Sequence, residues 1–144
     1  MPPNRGQNTT LLASMSAESM GPCVAVQGTT TAEVFEAYVE QALAPTLKEG
    51  QCVVMDNLSA HKGEKVRQLV EARGCRLLFL PPYSPDLNPI EGAFSKVKTS
   101  LRRVRARSRE ALIGAIGRAI SAVTARDARA FFEHCGYRLR GQPL

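Results

Sequence analysis

The 144-residue chain has no tryptophan, only two histidines and no long apolar run. A membrane-spanning helix needs about 18 or more consecutive apolar residues, so a helical membrane protein is excluded. The four cysteines, Cys23, Cys52, Cys75 and Cys135, form no CxxC pair and have no histidine cluster beside them. Zinc sites need soft ligands at close spacing, and these are too scattered. All four read as free thiols in a reducing compartment. The opening MPPNRGQNTT carries one arginine and no apolar segment after it, which gives no sign of a secretory signal. Acidic residues run short in the last third. Residues 93–144 hold 3 acidic against 12 basic side chains, whereas residues 1–92 hold 10 against 7. A body near −3 thus carries an extension near +9, and an asymmetry of that size points to a polyanion, most often nucleic acid. What is present is globular: 44% apolar residues against 22% charged excludes a disordered chain.

The hydrophobic pattern predicts strands at 8–16 and 22–28, joined by a turn at Glu18–Gly21. Thr30 and Glu33 have capping-box spacing, and Val34, Phe35, Tyr38, Val39, Ala42 and Leu43 share one helix face. QCVVMD (51–56) and CRLLFL (75–80) read as strands around a helix from His61 to Arg73, stopped by Gly74. Their continuous apolar runs predict burial on both faces. A strand–helix–strand unit of this kind forms a parallel crossover, and ligands gather at the carboxyl ends of such strands. The proline-rich PPYSPDLNP then leads to a helix with Ile90, Phe94, Val97 and Leu101 on its stripe. Tyr83 and Phe79 are expected to pack under that loop. Helices at 109–123 and 125–134 follow, the second capped by Thr124 and Asp127.

Two carboxylates stand out by position. Asp56 closes an apolar strand, Glu91 opens a helix after a rigid loop, and 34 residues lie between them. Two hard oxygen donors converging at a sheet edge suit Mg²⁺ or Mn²⁺. Plain structural roles fit as well: Asp56 as a turn cap, and Glu91 in a capping box behind Asn88 and Pro89. Asp86 serves the Ser-Pro-Asp turn and is a reserve ligand. His134 reads as a helix-end residue facing the dipole.

The strings MDNLSAHK and LPPYSPDLNPIE, at this interval, resemble the second and third acidic blocks of the DDE transposases, within them the mariner-related bacterial insertion-sequence group. The likeness spans roughly residues 4–137, and its second string is highly specific. It implies an α/β, RNase H-like fold, a mixed sheet flanked by helices. It also implies Mg²⁺-dependent (or Mn²⁺-dependent) cleavage of DNA at transposon ends, followed by strand transfer. In such enzymes three carboxylates hold two metal ions ~3.5–4 Å apart. Residue by residue, Asp56 matches the second acid and Glu91 the third. Asn57 and His61 match the polar positions after the second acid, beside the ligands or the DNA. The first acid belongs on a strand upstream of the opening hairpin, yet residues 1–16 contain no acid and Glu18 falls in the predicted turn. The expectation is a catalytic core (1–101) lacking its first central strand, with a basic helical extension (102–144). Such a chain binds metal weakly and is catalytically incomplete alone, being either a gene remnant or the second half of a frameshifted product. Its implied partners are transposon-end and target DNA and an upstream transposase half or full-length transposase, in the bacterial cytoplasm and at no membrane.

Arg102, Arg103, Arg105, Arg107 and Arg109 crowd into eight residues. Guanidinium forks suit phosphate oxygens, and with no aromatic residue between them they make no single-strand stacking platform. A solvated helix face is the plain alternative. Two further classes stay open: a non-catalytic DNA-binding or transposase-pairing regulator, and a structural α/β domain.

Overall fold

The computed structural model describes residues 9–57 and 63–137. They fall into two compact units, one of residues 9–14 with 21–57 and 63–83 and one of residues 15–20 with 84–137. In the first unit, β1 (Thr9–Met15) and β2 (Met20–Gln27) pair into a two-stranded sheet. A connection of four residues permits only an antiparallel pair. The turn is Ser16–Ser19, earlier than predicted, because the Ser16 amide donates to the Ser19 carbonyl (2.9 Å) and the Glu18 amide to Ser16 Oγ (3.2 Å). Gly21 therefore lies in β2, where a Cβ would strike the Ser14 hydroxyl.

The next helix, α1 (Ala32–Tyr38), is capped by Thr31, whose hydroxyl accepts from the Val34 amide at 3.3 Å. Thr30, the predicted cap, instead has a buried hydroxyl without a partner. After Tyr38 the backbone widens into a π-turn (Val39–Leu43) and then tightens into a 3₁₀ turn (Ala44–Thr46). Pro45 supplies the reason: its ring has no amide to donate and crowds the preceding turn. Buried Phe35, Tyr38, Val39 and Leu43 nevertheless keep the predicted face.

Strands β3 (Cys52–Met55) and β4 (Arg76–Phe79) pair in parallel, with Cys52 opposite Arg76 and Met55 opposite Phe79. A parallel pair needs a crossover, and α2 (Glu64–Glu71) lies within it, ended by Gly74 at φ +74°. Burial, however, alternates. Met55 and Leu77 join Leu12, Val39, Val66, Val70 and Cys75 in the core, while Cys52, Val54, Arg76 and Leu78 are exposed. The two-sided burial expected from the apolar runs is thus corrected to a one-sided sheet, and Cys52 is not a core residue. Among the described residues β1–β2 and β3–β4 are separate pairs rather than one mixed sheet.

The second unit is helical: α3 (Ile90–Val104), α4 (Arg109–Ser121) and α5 (Ala125–His134). Small side chains (Ala93, Ala115, Ala119 and Ala128) are buried where the helices meet. The helix α3 runs on through Arg102, Arg103 and Val104, so the basic run begins inside it rather than after it. Thr124 and Asp127 form the predicted capping box on α5. Lys96 on α3 donates to Asp127 and to the Ala122 carbonyl (3.2 Å), tying the two helices together.

That tie has a pH signature. The hydrogen bond from Lys96, then the Thr124 amide, hold the Asp127 carboxyl at about 2, below its ordinary 3.8. A depressed pKa stabilises the fold above the unfolded value, and that contribution is lost as pH falls through the folded one. Thermal unfolding between about pH 4 and pH 2 should therefore show a loss that Asp127→Asn flattens. Thr124→Ala should cost about 1 kcal/mol at neutral pH. An unchanged slope in Asp127→Asn would overturn this assignment.

Candidate metal and DNA site

Asp56 directly follows β3, half-buried, at the carboxyl end of the parallel pair. The Leu80 amide donates to the Met55 carbonyl at 2.8 Å, so the ladder continues up to this point and fixes the backbone that carries Asp56. Next to it stands Asn57, whose Oδ1 is fully buried and accepts no hydrogen bond from the described residues. An orphaned acceptor is costly unless something outside the chain satisfies it. His61 lies outside the described residues.

Glu91 belongs to the other unit. It is exposed in the first turn of α3, where the helix dipole favours an anion. Asn88 positions that turn: its Oδ1 accepts from the Ile90 amide (3.2 Å) and its carbonyl from the Glu91 amide (3.1 Å). The helix starts at Ile90 with Pro89 before it, one residue later than predicted. Glu91 shares a groove of about 340 Å³ with Asp86, Gly92, Phe131, His134 and Cys135. The floor is set by contact between α3 and α5, since a Cβ on Gly92 would come within 2.6 Å of the Phe131 ring. Burial, and then the charge of Asp86, push the Cys135 thiol up. A thiol with a raised pKa is a poor nucleophile at neutral pH, so the groove offers carboxylates and an imidazole rather than a reactive sulfur. Tyr137 closes the far end of this segment, its hydroxyl donating to the Leu87 carbonyl at 2.9 Å.

Each unit holds hard donors of the kind a divalent cation takes: in the first, Asp56 and the buried Asn57 amide oxygen, which has no partner among the described residues, and in the second, Glu91. Among the described residues, though, no group of three or more His, Cys, Asp or Glu could hold a metal ion. No helix among them is long and apolar enough to cross a membrane. The five arginines are all exposed: Arg102 and Arg103 in the last turn of α3, Arg105 at its C-cap, Arg107 in the link and Arg109 opening α4. Arg105 adopts the left-handed conformation at φ +53°, a place where glycine costs less.

Solved structures identify the fold. The catalytic domain of Mos1 mariner transposase superposes with a TM-score of 0.76 at 18% identity, over 88% of this chain and 68% of that one. The same domain with Raltegravir and Mg gives 0.75 at 20%, over 94% and 75%. The fold is therefore the RNase H-like α/β fold of that domain. The DDE superfamily endonuclease family matches residues 1–113, and the chain belongs to it. Transposable element Tcb1 transposase of Caenorhabditis briggsae is 31% identical over 105 residues, 70% of this chain and 38% of that protein. Transposable element Tc1 transposase of Caenorhabditis elegans is 27% identical over 122 residues, 82% and 45%. The chain spans less than half the length of these curated relatives.

Proposed function

We propose that this chain is a catalytic segment of a DDE transposase that acts on transposon-end and target DNA with Mg²⁺ or Mn²⁺. Asp56 and Glu91 serve as the second and third acids. The observation that carries the reading is Asp56 at the carboxyl end of a parallel strand, beside a buried Asn57 oxygen with no partner among the described residues. When bound, the metal would supply Lewis-acid stabilisation of charge on the attacking and leaving oxygens of phosphoryl transfer. The chain's own residues supply hard oxygen donors, a rigid backbone that presents them and a set of phosphate contacts. A third acid, contributed by an upstream transposase half or by full-length transposase, would complete the set.

Arg102, Arg103, Arg105, Arg107 and Arg109 would hold the DNA backbone without reading bases. Affinity for a short duplex should fall linearly on a log–log plot against salt, and each Arg→Gln change should lower that slope by about 0.9. Arg105→Gly should lower the slope equally while leaving thermal stability unchanged or raised, because glycine relieves the left-handed backbone. A flat salt response would overturn the DNA reading.

A second reading, a non-catalytic partner of full-length transposase, is favoured by the lack of a three-donor group among the described residues. Metal-dependent cleavage on adding the missing acid separates the two.

A further inference from the structure

Tyr83 is the most exposed large apolar side chain among the described residues, with a relative exposure of 101%. Its backbone is also in the left-handed region, at φ +57°. A bulky residue there is an outlier, and such strain persists where the surroundings enforce it. Pro81 and Pro82 precede Tyr83 directly and fix the approach of the chain. The expectation that Tyr83 packs under the loop is therefore wrong, since no described side chain covers the ring. Glycine or asparagine would hold this conformation at lower cost. A tyrosine in this position gains nothing for the fold, which directs attention to what the ring meets in solution.

Its place in the first unit is specific. The ladder between β3 and β4 ends with the Leu80 amide on the Met55 carbonyl, and Tyr83 lies three residues beyond, at the end of the sheet that carries Asp56 and Asn57. We propose that Tyr83 is a stacking platform for one unpaired nucleobase of DNA held at that end. This rests on the DNA reading above. An aromatic face accepts any base and so needs no sequence match. A paired duplex offers no free face along its length, so the base must be at an overhang, a nick or flipped out. One isolated ring accommodates one base, in keeping with an arginine run at 102–109 that has no aromatic residue in it. Those arginines hold backbone; the ring would recognise where pairing stops.

The test uses the 144-residue chain in EDTA, so that binding is read without cleavage. The probes are a blunt duplex and the same duplex with a single-nucleotide 2-aminopurine overhang. Wild type should bind the overhang probe on the order of tenfold more tightly and quench its fluorescence. Tyr83→Phe should keep both effects. Tyr83→Ala and Tyr83→Gly should lose both while keeping blunt-duplex affinity and its salt slope. The glycine variant suits the left-handed backbone and should melt no lower than wild type, which sets misfolding aside as a cause. Undiminished overhang preference in Tyr83→Ala and Tyr83→Gly would overturn the proposal. So would equal binding of both probes by wild type, and with an intact arginine-dependent salt slope that outcome leaves the DNA reading standing. Failure to bind either probe would remove both.

Discussion

Asp56→Asn or Glu91→Gln should lower Mg²⁺-dependent cleavage of transposon-end DNA by more than about a hundredfold, the upper end of what losing a residue that merely supports a ligand costs. The reaction is measured with a separate segment carrying an aspartate at the end of an apolar strand, supplied in trans. Both substitutions keep side-chain shape and remove one negative charge, so a loss of activity reports the charge rather than packing. A hard cation held by carboxylates loses both charge and a donor when one becomes an amide. Duplex affinity in EDTA should not fall, because the arginines are untouched. Cleavage by the chain without the added segment sets the baseline against which each substitution is read. Robust cleavage by the unaided chain would show that the acids are completed in some other way. Activity surviving either substitution would remove that residue from the site.

The second large effect inverts a rule. Replacing a helix-interior glycine by alanine ordinarily stabilises by about 1 kcal/mol. Gly117, in α4 with nothing near its missing Cβ, should follow the rule. Gly92 in α3 should break it, because an added methyl would enter the Phe131 ring at 2.6–3.0 Å. Overpacking of this kind costs about 1–3 kcal/mol, enough to cancel the gain and reverse the sign. Gly92→Ala should thus unfold at lower temperature than wild type and Gly117→Ala at higher. Because Glu91 is the adjoining residue and lines the same groove as Phe131, Gly92→Ala should also impair cleavage in the reconstituted reaction. If both variants rise in stability, the α3–α5 packing described for this groove is incorrect.

The sequence shows some of this directly and hides the rest for physical reasons. Local devices were legible: the Gly74 stop, the Thr124–Asp127 box and the apolar runs that become parallel strands all depend on residues within a few positions of one another. The placement of Asp56 after a strand and of Glu91 in a first helical turn was legible for the same reason. Thr31 was missed because Thr30 has the better spacing to Glu33, and adjacent threonines compete for one role. The π-turn was missed because Pro45 acts on residues several positions earlier. One-sided burial was invisible since VVM and LLF are apolar at every position, leaving no alternation to read. The groove beside Glu91 depends on α5 packing against α3, for which Gly92 and Phe131 carry no joint signal along the chain. Tyr83 departs from the general tendency of aromatic side chains to be buried, and the prolines around it are the one local sign of that.

The outward side of β3–β4 has a consequence of another kind. Val54 and Leu78 are 37% and 49% exposed on it, beside the free thiol of Cys52. Short apolar strands with an open side are templates for self-association, most of all in a nascent chain that has not yet closed its core. Arg76 sits on that same side, directly across from Cys52, where a fixed positive charge makes stacking of one copy on the next electrostatically costly. One guanidinium thus stands guard over the only apolar positions this side of the pair presents, Val54 and Leu78.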